Sequence, residues 1–247
     1  MQVTVVGWAG SYPGPMSPAS CYLIDTGDFR LLLDLGSGAL GPLQQYAGLA
    51  DIDAVCLSHL HADHCLDMCG YSVFRNYHPD GALPPLPVYA PKGAAERLSR
   101  ALGAEHLGIT DAFTFTELAP GTIEIGPLRV TTRHMNHPVE TFGFRVEHGG
   151  RVLGYSADTG PTEELVALAR DADVLLSEAS FAEGPDLPAG LHLTARQAAD
   201  HAARAEVGEL VLTHLVPWND VAASLAEAAA VFEGPLRPAS CGLRLLG

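Results

Sequence analysis

Basic residues are scarce in this chain. Lysine and arginine together number 14 against 29 aspartates and glutamates, for a formal charge of −15. A protein that grips long nucleic acid through its phosphates needs a basic stripe, so extended nucleic-acid contact is not expected. Long apolar runs are also missing. The stretches that come nearest, such as residues 30–35, are far too short to cross a bilayer. No basic segment followed by an apolar one opens the chain, so no secretory signal is visible. Cysteine is sparse and odd in number, five with no CxxC pair (Cys21, Cys56, Cys65, Cys69 and Cys241). A disulfide framework is therefore not expected, and a reducing compartment, the cytoplasm, is. Internal repeats, low-complexity tracts and charge blocks are absent too.

What remains is a globular composition, 47% hydrophobic and 17% charged over 247 residues, enough for one large α/β unit. β-prone segments at residues 3–6, 21–25, 29–34, 54–57 and 88–90 are joined by a turn at Gly27-Asp28 and followed by helical patterns at 39–47 and 93–102. A second set follows, with strands at 113–118, 128–133, 141–147, 152–156, 174–176 and 209–213. Its helices fall at 163–169, 194–205 and 221–232, and Gly149-Gly150 forms a hairpin turn. Strands grouped ahead of helices, twice over, predict two sheets packed face to face with helices outside. No linker divides them, so residues 1–247 read as one domain.

Chemistry concentrates in Ser58-His59-Leu60-His61-Ala62-Asp63-His64, at the end of a predicted strand. Four imidazole or carboxylate donors within six residues make up a ligand set suited to zinc and similar divalent ions. Cys65 and Cys69 follow directly, and helix packing accounts for them better than metal ligation does.

This run resembles the HxHxDH motif of the metallo-β-lactamase superfamily, and further motifs of that family occur in order. They are Leu33-Asp34-Leu35-Gly36, Asn136-His137-Pro138, Ser156-Ala157-Asp158-Thr159 and Thr213-His214-Leu215. The resemblance implies the αββα four-layer sandwich and a site with two divalent ions. His59, His61 and His137 would hold one ion, Asp63, His64 and His214 the other, and Asp158 would bridge them. Zinc is the default, and manganese or iron would suit the same donors. Asp34 is expected behind a ligand histidine. Two ions about 3.5–4 Å apart can share a hydroxide as nucleophile, and Asp63 would help orient it.

Within the superfamily the chain most resembles the tRNase Z and small-phosphodiesterase branch. Ser177-Glu178-Ala179-Ser180-Phe181 and His192-Leu193-Thr194-Ala195 carry that likeness. It implies that Glu178 orients His192 and that His192 stabilises phosphate charge or protonates the departing alkoxide. Two departures stand out. Ser177 occupies a position that is often histidine in that branch, and Phe144 and Tyr155 flank a hairpin too short for a tRNA-gripping arm. The expected substrate is therefore a small phosphodiester or cyclic nucleotide. A tRNA 3′-processing endonuclease and a carboxylic-ester or lactone hydrolase are the alternatives, and the complete ligand set argues against a non-catalytic scaffold. The resemblance also implies homodimers. Trp8, Trp218 and the loop 10–18 are candidates for shaping the pocket, with core packing the competing role for both tryptophans.

Overall fold

A computed structural model describes residues 1–103 and 108–247. Apolar strands pair into two mixed sheets of seven, and each sheet is antiparallel at one side and parallel at the other. The first is built from β1 (Gln2–Gly7), β2 (Cys21–Asp25), β3 (Arg30–Leu33), β4 (Ala54–Cys56), β5 (Leu86–Ala90) and β6 (Phe113–Glu117). The second begins with β7 (Gly121–Ile125), β8 (Leu128–His134), β9 (Phe142–His148) and β10 (Arg151–Tyr155). It continues through β11 (Val174–Glu178), β12 (Leu210–Thr213) and β13 (Leu236–Pro238). The final strand, β14 (Arg244–Leu245), returns to pair with β1 in the first sheet. Strands β3 to β6 run parallel, as do β10 to β13.

Alternation along the strands builds the layers. In β3, Leu31 and Leu33 face the other sheet and join Val130, Phe142, Phe144 and Leu153 in the inner core. Leu32, between them, faces outward onto Leu43, Met68, Tyr71 and Leu98. Helices α1 (Leu40–Leu43), α2 (Ala62–Cys65), α3 (Met68–Asn76), α4 (Ala94–Leu102) and α5 (Ile109–Ala112) lie on the first-sheet side. Helices α6 (Glu163–Ala169), α7 (Ala195–Arg204) and α8 (Val221–Ala229) cover the second sheet through a separate apolar cluster. The face of α7 that meets the sheet is alanine (Ala195, Ala198, Ala199, Ala202), which lets the helix lie close. The result is the expected four-layer αββα sandwich.

Several local expectations change. The predicted 39–47 helix is a single α-turn followed by hydrogen-bonded turns, because Pro42 and Gly48 leave little continuous ladder. Cys65 and Cys69, four residues apart, belong to different helices: Cys65 ends α2, Cys69 lies in α3, and Leu66-Asp67 separates them. Both thiols donate to carbonyls, of His61 and Leu98, and pack in the outer core. The β9–β10 connection is a two-residue turn pairing His148 with Arg151, with Gly149 and Gly150 at φ 59° and 73°. Positive φ at both positions is what a type I′ hairpin demands.

Candidate metal centre

All the candidate ligands sit where chain leaves a strand at one end of the paired sheets. His59 and His61 follow β4, Asp63 and His64 open α2, and His137 follows β8. Asp158 follows β10 and His214 directly follows β12. Strand ends on a rigid sheet are where loops converge polar groups most accurately. The backbone pays in strain at these positions. Asp34, Ala157 and His214 all adopt left-handed φ, between 52° and 60°, although none is glycine. Room is made by glycines. A Cβ on Gly10 would lie 2.4 Å from the His214 carbonyl oxygen, and one on Gly36 would lie 2.0 Å from that of Asp63.

The predicted ligands separate into two groups that meet at Asp158. In the first, His59 Nε2 lies 3.0 Å from His61 Nδ1, which lies 3.3 Å from His137 Nε2. Asp158 Oδ2 is 3.6 Å from His59 Nε2 and 3.9 Å from His137 Nε2. In the second, His64 Nε2 and His214 Nε2 are 3.1 Å apart, with Asp63 Oδ2 at 3.6 and 3.1 Å from them. Asp158 Oδ1 stands 3.1 Å from His64 Nε2 and 3.3 Å from His214 Nε2. Each oxygen of one carboxylate thus serves a different group.

Divalent cations fit this arrangement. Among the described residues, Asp158 Oδ1 is buried with no hydrogen-bond partner, a costly state for a carboxylate oxygen. Ring nitrogens crowd against one another at hydrogen-bond distance, while the opposite nitrogens of His59, His64, His137 and His214 are already engaged. His64 Nδ1 donates to Asp34 Oδ2 at 2.8 Å, and His59 Nδ1 to Ser58 Oγ at 3.1 Å. His137 Nδ1 donates to the Leu191 carbonyl at 2.9 Å and His214 Nδ1 to Ser180 Oγ at 2.7 Å. Those outer bonds orient the four rings with their inner nitrogens turned toward the shared space, the arrangement a metal ligand needs. Burial, reinforced by neighbouring His64, lowers the His59 pKa, and burial with His137 lowers that of His61. Burial would raise Asp63 and Asp158, but the surrounding histidines outweigh it and hold both carboxyls well below their usual range.

The supporting layer is denser than the sequence revealed. Asp34, placed in advance behind a ligand histidine, receives four donors: Ser58 N, Ser58 Oγ, His64 Nδ1 and Tyr155 Oη, all within 2.7–2.8 Å. Ser58, Tyr155 and Ser180 had no assigned role, and only their position beside ligand-bearing motifs hinted at one. Ser180 Oγ accepts from His214 Nδ1 and donates to the carbonyl of the same residue at 2.9 Å, so one hydroxyl fixes both ring and strained backbone. Asn219 Nδ2 in turn donates to the Ser180 carbonyl at 2.8 Å.

Glu178 and His192 are brought together as expected. His192 Nδ1 donates to Glu178 Oε1 at 2.9 Å. The glutamate is buried and also accepts from the backbone of Thr159, Ser180 and Leu193. Burial would lower the His192 pKa, but Glu178 outweighs it and the net direction is upward. The ring lies 5.5 Å from His137 and 5.6 Å from His214, centroid to centroid. The ring therefore stands beside both groups. The neighbouring His134 stays on β8, stacked on Phe142 away from the ligands. Among the described residues, neither cysteine of the 65–69 segment joins a donor cluster. Trp8 is half-buried against the core, whereas Trp218 is 73% exposed, so packing explains only the first.

Comparison with known proteins bears on the family and the fold. Residues 22–215 match the β-lactamase superfamily domain. An uncharacterised Mycobacterium leprae protein is 42% identical over 248 residues, covering 98% of this chain and 87% of its own. A ribonuclease Z of Mycolicibacterium gilvum is 32% identical, over 88% of this chain and 85% of its own. The crystal structure of the metallo-β-lactamase-fold protein YhfI from Bacillus subtilis superposes with a TM-score of 0.88 at 29% identity, covering 99% and 98% of the two chains.

Proposed function

Because this chain belongs to the β-lactamase superfamily and is a metal-dependent hydrolase of that fold, we propose that it cleaves a small phosphodiester at a two-metal site. His59, His61 and His137 would hold one ion and Asp63, His64 and His214 the other, with Asp158 set between the two groups. Zinc suits these donors best, and manganese or iron share the preference. Bound there, the ions supply an activated water and neutralise charge on the reacting group.

The observation that carries the reading is the Glu178–His192 pair beside the ligand groups. Glu178 accepts from Nδ1 and so fixes His192 with its outer nitrogen toward the site. The same carboxylate favours the protonated ring, so His192 enters the reaction as a donor. It protonates the leaving alkoxide, a difficult leaving group that gains most from a positioned acid. Asp63, held anionic by His214 and His64, accepts a hydrogen bond from the attacking water and aims it. The short β9–β10 turn and the acidic charge favour a small substrate over tRNA, in a reducing, cytoplasmic setting.

Zinc-reconstituted protein should turn over bis-p-nitrophenyl phosphate and cyclic AMP, and leave a precursor tRNA uncut. Hydrolysis of p-nitrophenyl esters or lactones without any phosphodiester cleavage would reject the reading in favour of a carboxylic-ester hydrolase. Retention of one ion or none after reconstitution would reject the two-metal arrangement.

A further inference from the structure

Exposed large apolar side chains are unevenly placed. Tyr12, Met16, Val139, Leu187 and Trp218 all stand on the loops that carry or touch the metal-site residues. Two of them are paired: the Tyr12 and Trp218 rings lie 5.4 Å apart at 40°. Trp218 is 73% exposed and Tyr12 40% exposed, so each keeps a face open to solvent.

The pair is fixed to the centre by backbone. Ala9 bridges Leu215, and Gly10 N donates to the Leu215 carbonyl at 3.1 Å. Gly10 is pressed against His214 so closely that no side chain fits. Farther out, Gly14 packs against Pro217. Trp218 is followed by Asn219, whose side chain holds Ser180, the partner of His214. Tyr12 and Trp218 therefore occupy two loops joined at a metal-ligand histidine, with their aromatic surface uncovered at the rim. An exposed tryptophan left only to solvent gains nothing from burial, whereas a planar ring laid on it removes apolar surface from water on both sides.

Charge narrows what that ring belongs to. No lysine or arginine occurs in residues 8–20, 58–64, 135–141, 156–162, 179–194 or 214–220, the segments that carry the donors and the aromatic pair; Lys92 meets Glu140 through its backbone N at 3.1 Å, and Arg196 lies 3.9 Å from Glu183. Acidic residues do occur there, Glu140, Glu183, Asp186 and Asp220 among them. Metals can offset one phosphoryl group, and nothing in these segments is arranged to meet a second. Resting on the phosphodiesterase reading above, we infer that Tyr12 and Trp218 form the subsite for a nucleobase carried by a mononucleotide phosphodiester with a single phosphoryl centre.

The test compares cyclic AMP with the base-free ribose 3′,5′-cyclic phosphate on zinc-loaded wild type, Trp218→Ala, Trp218→Phe and Tyr12→Ala. Base stacking on an aromatic side chain contributes enough for roughly a 5- to 100-fold effect. Trp218→Ala should lower the preference in kcat/KM for cyclic AMP over the base-free ester by that factor, mostly through KM. Trp218→Phe should restore much of it. Trp218 emission should be quenched when a slowly hydrolysed phosphorothioate of cyclic AMP binds, and Trp218→Ala should abolish that signal. An unchanged preference overturns the subsite. So does a change from dimer to monomer in sedimentation with the preference intact, because the pair would then be a contact between copies of the chain. Failure to cleave either phosphodiester, with metals bound, would instead reject the phosphodiesterase reading itself.

Discussion

At the scale of single residues, the candidate ligand histidines depend on groups that lie outside both donor clusters. His214 has a left-handed backbone, and Ser180 holds both its ring nitrogen and its carbonyl. Ser180→Ala removes both bonds and, on the proposed ligand set, should weaken retention of an ion bound with Asp63 and His64 by about 10- to 100-fold. Competition with a chelator would measure this, and Ser180→Thr should recover most of the affinity. An ion retained as tightly in the alanine variant would show that packing alone sets the ring. His192 makes a different prediction because the role proposed for it is proton transfer. His192→Ala should lower kcat by roughly 10²- to 10⁴-fold on an alkoxide-leaving phosphodiester. The loss should be smaller with p-nitrophenolate, which leaves without help. Metal content measured by plasma mass spectrometry should stay at the wild-type ratio, which separates a lost acid from a collapsed centre.

At the scale of elements, the site depends on how closely α2 approaches the loop after β3. A Cβ on Gly36 would meet the Asp63 carbonyl at 2.0 Å, and a backbone atom cannot swing aside. Gly36→Ala should push α2 outward at a cost of roughly 1–3 kcal/mol, lowering Tm by about 2–4 °C for each kcal/mol at this chain length. Phosphodiesterase activity should fall further than that stability loss explains, since Asp63 and His64 move with the helix. An unshifted Tm would refute the contact. Thr194 caps α7 by accepting from Gln197 N, while Gln197 Oε1 accepts from Thr194 N. That capping box was readable from residue types alone. Helix α3 was not readable, although its buried positions Met68, Tyr71, Ser72, Arg75 and Asn76 keep helical spacing. Three of those five are polar, so the period is present but hydrophobicity does not display it. Arg75 stays inside by donating to the Pro84 carbonyl and Tyr71 Oη. Strand β7 escaped for the opposite reason: it is an edge strand with only Ile125 buried, so it shows almost no apolar face. The metal donors were legible because their spacing within each motif is local. Ser180, Ser58 and Tyr155 were not, because their roles exist only once distant strands align. Tyr155 meets Asp34 across 121 residues of sequence.

At the scale of the whole molecule, the two-sheet core that aims the site also buries ionisable groups in their neutral forms. The fold should therefore weaken in alkali. Burial pushes the Cys65 thiol up to about 12, and it raises Cys21, Cys56, Tyr22 and Tyr155 well above their ordinary ranges. In the unfolded chain, thiols lose their protons above about pH 8.5–9 and phenols above about pH 10. The folded state therefore binds more protons than the unfolded state from about pH 9 upward. Stability is full below that point and is lost as pH rises toward the folded values. Each thiol still protonated in the native state contributes a decline of about 1.4 kcal/mol per pH unit once its unfolded counterpart has ionised. Urea midpoints for zinc-loaded protein should be flat from neutrality to about pH 8.5 and then fall steeply. Cys65→Ala should make the fall shallower while lowering the neutral midpoint by a small packing cost. Thiol titration should agree: in the native protein at about pH 8, exposed Cys241 reacts at once, half-buried Cys69 slowly, and Cys21, Cys56 and Cys65 only after denaturant is added. Rapid reaction of all five thiols without denaturant would show that the layers around the centre open far more readily than their burial requires.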